Sequence, residues 1–103
     1  MLAARLVKRY DIDTYEVILL TDIESGGIAQ YSHLLVATLK GEEEACYVVS
    51  AEVDLLDGCT HYLGSFPGTG HINHGSSDDW AELSCFKEKA KELMSEKLNI
   101  RFP

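Results

Sequence analysis

Short apolar runs recur along the first two-thirds of the chain, and in residues 45–54 apolar and polar positions alternate as they do in a β-strand with one face toward a core. Short runs rich in Val, Ile, Leu and Tyr are separated by turn-forming segments. These runs predict five strands, at residues 3–10, 14–21, 31–40, 45–54 and 60–66. The segments at residues 11–13 and 41–44 are predicted hairpin turns, so consecutive strands are expected to pair in antiparallel fashion.

The second and third predicted strands are apolar on both faces. In the second strand Val17 and Leu19 alternate with Ile18 and Leu20, and residues 33–39 repeat this pattern. Successive side chains of a strand point to opposite faces of the sheet, so both faces need cover at this point.

The end of the chain has the spacing of an amphipathic helix of about 19 residues, roughly 28 Å long. We expect it to begin near Asp79, with Asp79 and Glu82 as a capping pair and an acidic first turn, and to end at Asn99. Its predicted buried stripe contains Leu83, Phe86, Ala90, Leu93, Met94 and Lys97, bordered by Trp80 and Leu98.

These elements predict an α+β fold, a mostly antiparallel meander of about five strands with one C-terminal helix on one face. The alternative is a half-barrel curled around the helix. A single helix covers only one face of such a sheet, and exposed aliphatic patches of several hundred Å² are rare on monomers. The other apolar face therefore favours a homodimer, joined sheet to sheet or by a shared edge.

The 103 residues predict one domain spanning residues 1–103. A net charge of −8 argues against non-specific binding to nucleic acid or to acidic membranes, both of which need a basic surface. The three cysteines form no C-x-x-C pair, and the start of the chain has no apolar signal-peptide region. We therefore expect a soluble cytoplasmic protein that does not associate with membranes.

A histidine-rich segment, "GTGHINHGSSDDW", precedes the predicted helix. His71 and His74 form an H-x-x-H pair with Asp78 nearby, and imidazole with carboxylate is a ligand set for zinc or a similar ion. This predicts a metal site at His71, His74 and Asp78, and a wider binding set that includes His61. The competing interpretation is that the loop from Gly68 to Asp79 only sets the start of the helix.

Two functional hypotheses follow from the sequence. In the first, the chain is a small acidic interaction module without catalytic activity, a homodimer that binds a protein or a small molecule. In the second, it is a hydrolytic or transferase enzyme that depends on a metal or on a Cys/His pair, with its site between Cys59 and Asp79. Cys59 and His61 are two residues apart at the start of the fifth strand and would share a face. No motif identifies a cofactor, and the absence of a strong catalytic motif favours the first hypothesis.

Overall fold

A computed structural model describes residues 4–23, 29–54, 59–66, 71–76 and 78–103. In these ranges the chain forms six strands, a 3-10 helix at Asp78–Ala81 and an α-helix, α1, at Leu83–Leu98. The strands are β1 (Arg5–Ile12), β2 (Tyr15–Thr21), β3 (Ala29–Leu39), β4 (Ala45–Asp54), β5 (Thr60–Ser65) and β6 (His71–Ser76).

The strands form one antiparallel sheet in the order β1-β2-β3-β4-β5-β6. The predicted α+β fold, with a meander sheet and one C-terminal helix, is confirmed. The sheet is open rather than a half-barrel, with β1 and β6 as its edges in the described part of the chain. The sixth strand is an addition, because residues 71–76 were predicted to be a loop. The first hairpin turn is also shorter than predicted, since β1 continues to Ile12 and Asp13 takes the left-handed conformation with φ of 51°.

The hydrophobic core lies between α1 and one face of the sheet. Val17 and Leu19 of β2 and Leu35 and Ala37 of β3 are fully buried on this face, since α1 packs over β3 and β4. The helix contributes the centre of its predicted stripe to this core: Phe86, Ala90, Leu93 and Met94. Lys97, which was placed on the stripe, is instead exposed at the last turn.

Ring contacts close the core at its two sides. The Tyr10 and Phe102 rings meet edge to face with their centroids 5.1 Å apart, which joins β1 to the segment after α1. The Tyr47 and Phe66 rings lie 4.5 Å apart and extend the core to the end of β5. Aromatic pairs in these arrangements stabilise a fold by about 0.5–1.5 kcal/mol beyond the area they bury.

The predicted start of the helix was wrong, and its predicted end is confirmed. The N-cap of α1 is Glu82, which makes no side-chain capping bond, and the first turn of α1 contains no acidic residue. Asp79 belongs to the 3-10 helix, where its carbonyl accepts a bond from the Glu82 N–H at 3.0 Å. Asn99 ends α1 with φ of 53°, and the Ile100 N–H bonds to the Ser95 carbonyl at 3.2 Å, a common C-terminal capping arrangement.

A buried histidine fastens the 3-10 helix to the sheet. His33 Nε2 lies 2.8 Å from the carbonyl oxygen of Ala81, and His33 Nδ1 lies 2.8 Å from the Thr21 hydroxyl. The carbonyl can only accept, so Nε2 carries the proton, and in the neutral ring Nδ1 accepts from Thr21. The ring also packs on Phe86, with centroids 5.3 Å apart. Both polar atoms of this buried side chain are thereby satisfied.

Candidate interaction surface

The face of the sheet opposite α1 has no covering element in the described part of the chain, and we call it the open face. The pairing of β2, β3 and β4 brings five aliphatic side chains together on it. We call this group the apolar centre, and it consists of Ile18, Leu20, Leu34, Val36 and Val48.

The apolar centre is less buried than the opposite face of the same strands. All five side chains are half-buried, whereas Val17, Leu19 and Leu35, on the helix side of the same strands, are completely buried. Leu6 of β1 pairs with Leu20 and extends the apolar surface toward the sheet edge, with 47% of its surface exposed. The two apolar sets predicted for β2 and β3 are therefore confirmed, and one of them faces solvent in the single chain.

Two ion pairs lie beside the apolar centre. Arg9 Nε lies 3.8 Å from Glu16 Oε1, and Lys40 pairs with Asp11 at the adjoining end of the sheet. These pairs are exposed, so each contributes little to folding stability. They balance Glu16 and Asp11 individually, while the exposed carboxylates of Glu42 and Glu43 lie beside Glu16 and Lys40 at the same end of the sheet.

Glu52 is different from these carboxylates. It lies on β4, half-buried, where it pairs in register with His61 of β5. Among the described residues it takes part in no ion pair. It is thus a carboxylate on the open face whose charge is not balanced by a contacting cation.

The β1 edge of the sheet is poorly suited to pairing with another strand. Its register shifts between Leu6 and Lys8, and it carries Arg5, Lys8 and Arg9 among its exposed residues. Charged side chains and irregular pairing are the usual means by which edge strands avoid adding a strand from another chain. These features argue against a dimer that is joined edge to edge through β1.

The residues of the predicted binding set lie along β5, β6 and the 3-10 helix. His61 pairs in register with Ser76, and His71 pairs with Ser65, four residues farther along β5, or about 13 Å at ~3.3 Å per residue. The side chains of His71, His74 and Asp78 lie outside the described residues. No cluster of three or more His, Cys, Asp or Glu side chains within the described part could hold a metal ion. The metal site at His71, His74 and Asp78 therefore stays a prediction.

The fold shows where Cys59 and His61, the Cys/His pair of the enzyme hypothesis, lie, and that hypothesis stays a prediction. Cys59 comes immediately before β5, and both it and His61 are half-buried. A groove of about 450 Å³ lies beside the start of α1. Its lining residues are Asp79, Trp80, Ser84, Cys85, Glu88 and Lys89. Asp79 is the last residue of the region proposed for that enzyme, and Trp80 follows it. Cys59 and His61 do not line the groove.

Two features of the structure could not be found from the sequence. Strand alternation showed that there are two apolar sets, but the set that meets the helix depends on the register of the folded sheet. His33 fits the alternation of β3 equally well as a surface residue, and its partners Thr21 and Ala81 are distant in the chain.

No helix in the described ranges is long and apolar enough to cross a membrane. Comparisons with models of known protein families, with curated proteins and with solved structures give no match to this chain.

Proposed function

We propose that the protein is a small, non-catalytic interaction module that acts as a homodimer, in which two copies bury their open faces against each other. The observation that carries this proposal is the half-buried apolar centre, formed by strands whose opposite face contributes the completely buried Val17, Leu19 and Leu35. Its exposed area supplies a hydrophobic driving force for association of about 25 cal/mol per Å² of apolar surface removed from water.

The size of the open face fits a dimer interface. Six strands about 4.8 Å apart span roughly 29 Å, and seven residues of strand, the length of β2, span roughly 23 Å. The face therefore has a projected area of about 670 Å². Stable interfaces bury about 800 Å² per partner. The open face of each chain therefore comes close to the area that one partner buries in a stable interface, and side chains at its border add to that area.

The charges around the apolar centre permit a second copy to approach. A net charge of −8 on each chain opposes association, but the Debye length is only about 8 Å at physiological ionic strength. Because Arg9 and Lys40 balance Glu16 and Asp11, the repulsion between the facing surfaces is smaller than the net charge implies.

Sedimentation equilibrium tests the proposal with two substitutions on β3. Val36→Lys places a charge in the apolar centre. Leu39→Lys places the same charge at an exposed position at the end of β3, where the side chain belongs to the opposite face of the sheet. We expect the wild type and Leu39→Lys to be dimers at micromolar concentration and Val36→Lys to be a monomer. A wild type that is monomeric at these concentrations, or a Val36→Lys variant that dimerises like the wild type, would show that the proposal is wrong.

The acidic charge also supports the prediction that the protein does not bind duplex DNA or RNA non-specifically, since no phosphate-neutralising surface is expected at a net charge of −8. Gel-shift assays at low ionic strength check this, and tight binding there would contradict it.

A further inference from the structure

We propose that Glu52 keeps self-association through the open face weak and makes it sensitive to ionic strength. This inference rests on the proposed homodimer and concerns how its affinity is set.

Glu52 lies close enough to the apolar centre to be covered with it. On β4 it is two residues beyond Ser50, which pairs with Leu34. Glu52 therefore lies on the same face as Ser50 and next to it along β4, with a register shift of β3 between the Leu34–Ser50 pair and the Tyr31–Glu52 pair. It is already half-buried in the single chain. A surface of about 670 Å² centred on the apolar centre includes the position of Glu52.

The charge of Glu52 is not balanced by an ion pair in the described part of the chain, unlike the charges of Glu16 and Asp11. Glu16 and Asp11 each contact a cation, so covering them removes a paired charge from water. Among the described residues Glu52 contacts no cation, and its neighbour on β5 is His61. An ionised carboxylate that loses water without gaining a cation or hydrogen-bond donors opposes association. The charge also repels the net negative charge of the second copy, and salt screens that repulsion.

The test compares Glu52→Gln with Glu92→Gln by sedimentation equilibrium. Both variants remove one negative charge and keep the side-chain size, but Glu92 lies exposed on α1, on the other side of the sheet. At about 20 mM NaCl, where screening is weak, we expect Glu52→Gln to lower the dimer Kd at least ~5-fold and Glu92→Gln to change it less than ~2-fold. Between about 20 and 500 mM NaCl, the Kd of Glu52→Gln should fall less than that of the wild type. Glu52→Thr, whose residue type suits a strand, provides a second variant with the same expectation.

Equal effects of Glu52→Gln and Glu92→Gln, or a Kd of Glu52→Gln within ~2-fold of the wild type, would overturn the role of Glu52 while leaving the homodimer intact. Failure of the homodimer itself has a different signature. The wild type, Glu52→Gln and Val36→Lys would then all be monomers at every salt concentration.

Discussion

Replacing Thr21 by Val tests whether the buried histidine holds the 3-10 helix and the sheet together. The two side chains have nearly the same shape, and Val suits a strand. The substitution removes only the hydroxyl group that lies 2.8 Å from His33 Nδ1. Thr21 is 4% exposed and His33 is 6% exposed, so water cannot readily replace the lost partner.

The expected loss follows from that burial. A buried acceptor left without its hydrogen bond costs about 1–3 kcal/mol, so we expect Thr21→Val to lower the free energy of unfolding by about 2 kcal/mol. For a domain of this size, each kcal/mol corresponds to a shift in Tm of about 4–8 °C. Thr38→Val is the matched control because Thr38 lies half-buried on β3 and has no hydroxyl hydrogen bond among the described residues. It should change stability by less than about 0.5 kcal/mol.

Urea denaturation followed by circular dichroism measures both variants, with the midpoint compared at an unchanged m-value. The double variant Thr21→Val/His33→Leu completes a thermodynamic cycle. Because the two residues share one hydrogen bond, its loss should be about 1 kcal/mol smaller than the sum of the single losses. Equal stability losses for Thr21→Val and Thr38→Val, or additive losses in the cycle, would refute the assigned hydrogen bond.

Three further predictions concern other parts of the fold. Gly75→Ala should cost about 1–3 kcal/mol in urea denaturation, because Gly75 has φ of +138° and a Cβ there would lie 3.1 Å from the Trp80 ring; a negligible loss would contradict this. Asn99→Ala should cost about 1 kcal/mol because the residue takes a left-handed conformation, and Asn99→Gly should not; equal effects would argue against a role for that conformation. Burial raises the pKa of the Tyr10 and Tyr47 phenols above 10.0, so the stability that they contribute is fully present below pH 10.0 and is lost as the pH rises through their folded pKa. Urea denaturation at increasing alkaline pH measures that loss, and stability that does not decrease there would contradict it.

Strands β1 to β5 could be predicted because each is a short run rich in apolar residues, bounded by turn-forming segments. β6 could not be predicted in this way. Its residues, HINHGS, include one aliphatic residue among histidines, asparagine, glycine and serine, which have little preference for strands. Its backbone pairs with β5, and that pairing is a property of the folded sheet rather than of local sequence.

The helix start was mispredicted because one spacing fits two structures. An acidic residue followed three positions later by Glu is typical of a capping box. The same three-residue separation joins Asp79 and Glu82 in the 3-10 helix, through the backbone alone. The end of α1 was simpler to predict, since Asn at a helix C-terminus accepts the left-handed conformation without a steric penalty comparable to that of other residues.

The candidate surface was predicted in its composition but not in its orientation. The sequence showed two aliphatic sets on β2 and β3, and alternation treats the sets as equivalent. The packing of Phe86, Leu93 and Met94 against the sheet decides between them, which requires contacts between residues far apart in the chain. The unbalanced charge of Glu52 could not be predicted for the same reason. Whether a cation contacts Glu52 among the described residues depends on which strands lie beside β4.

The order of the sheet, in which every strand pairs with the strand next to it in the chain, has a consequence for how the protein folds. Each hairpin closes a short loop, and the entropy lost in loop closure is small for such contacts. Low sequence separation between contacting residues is associated with fast folding. The helix is the exception, because Phe86 meets His33 across more than fifty residues. We therefore expect a transition state in which β2, β3 and β4 are already paired, and substitutions in α1 to speed unfolding more than they slow folding.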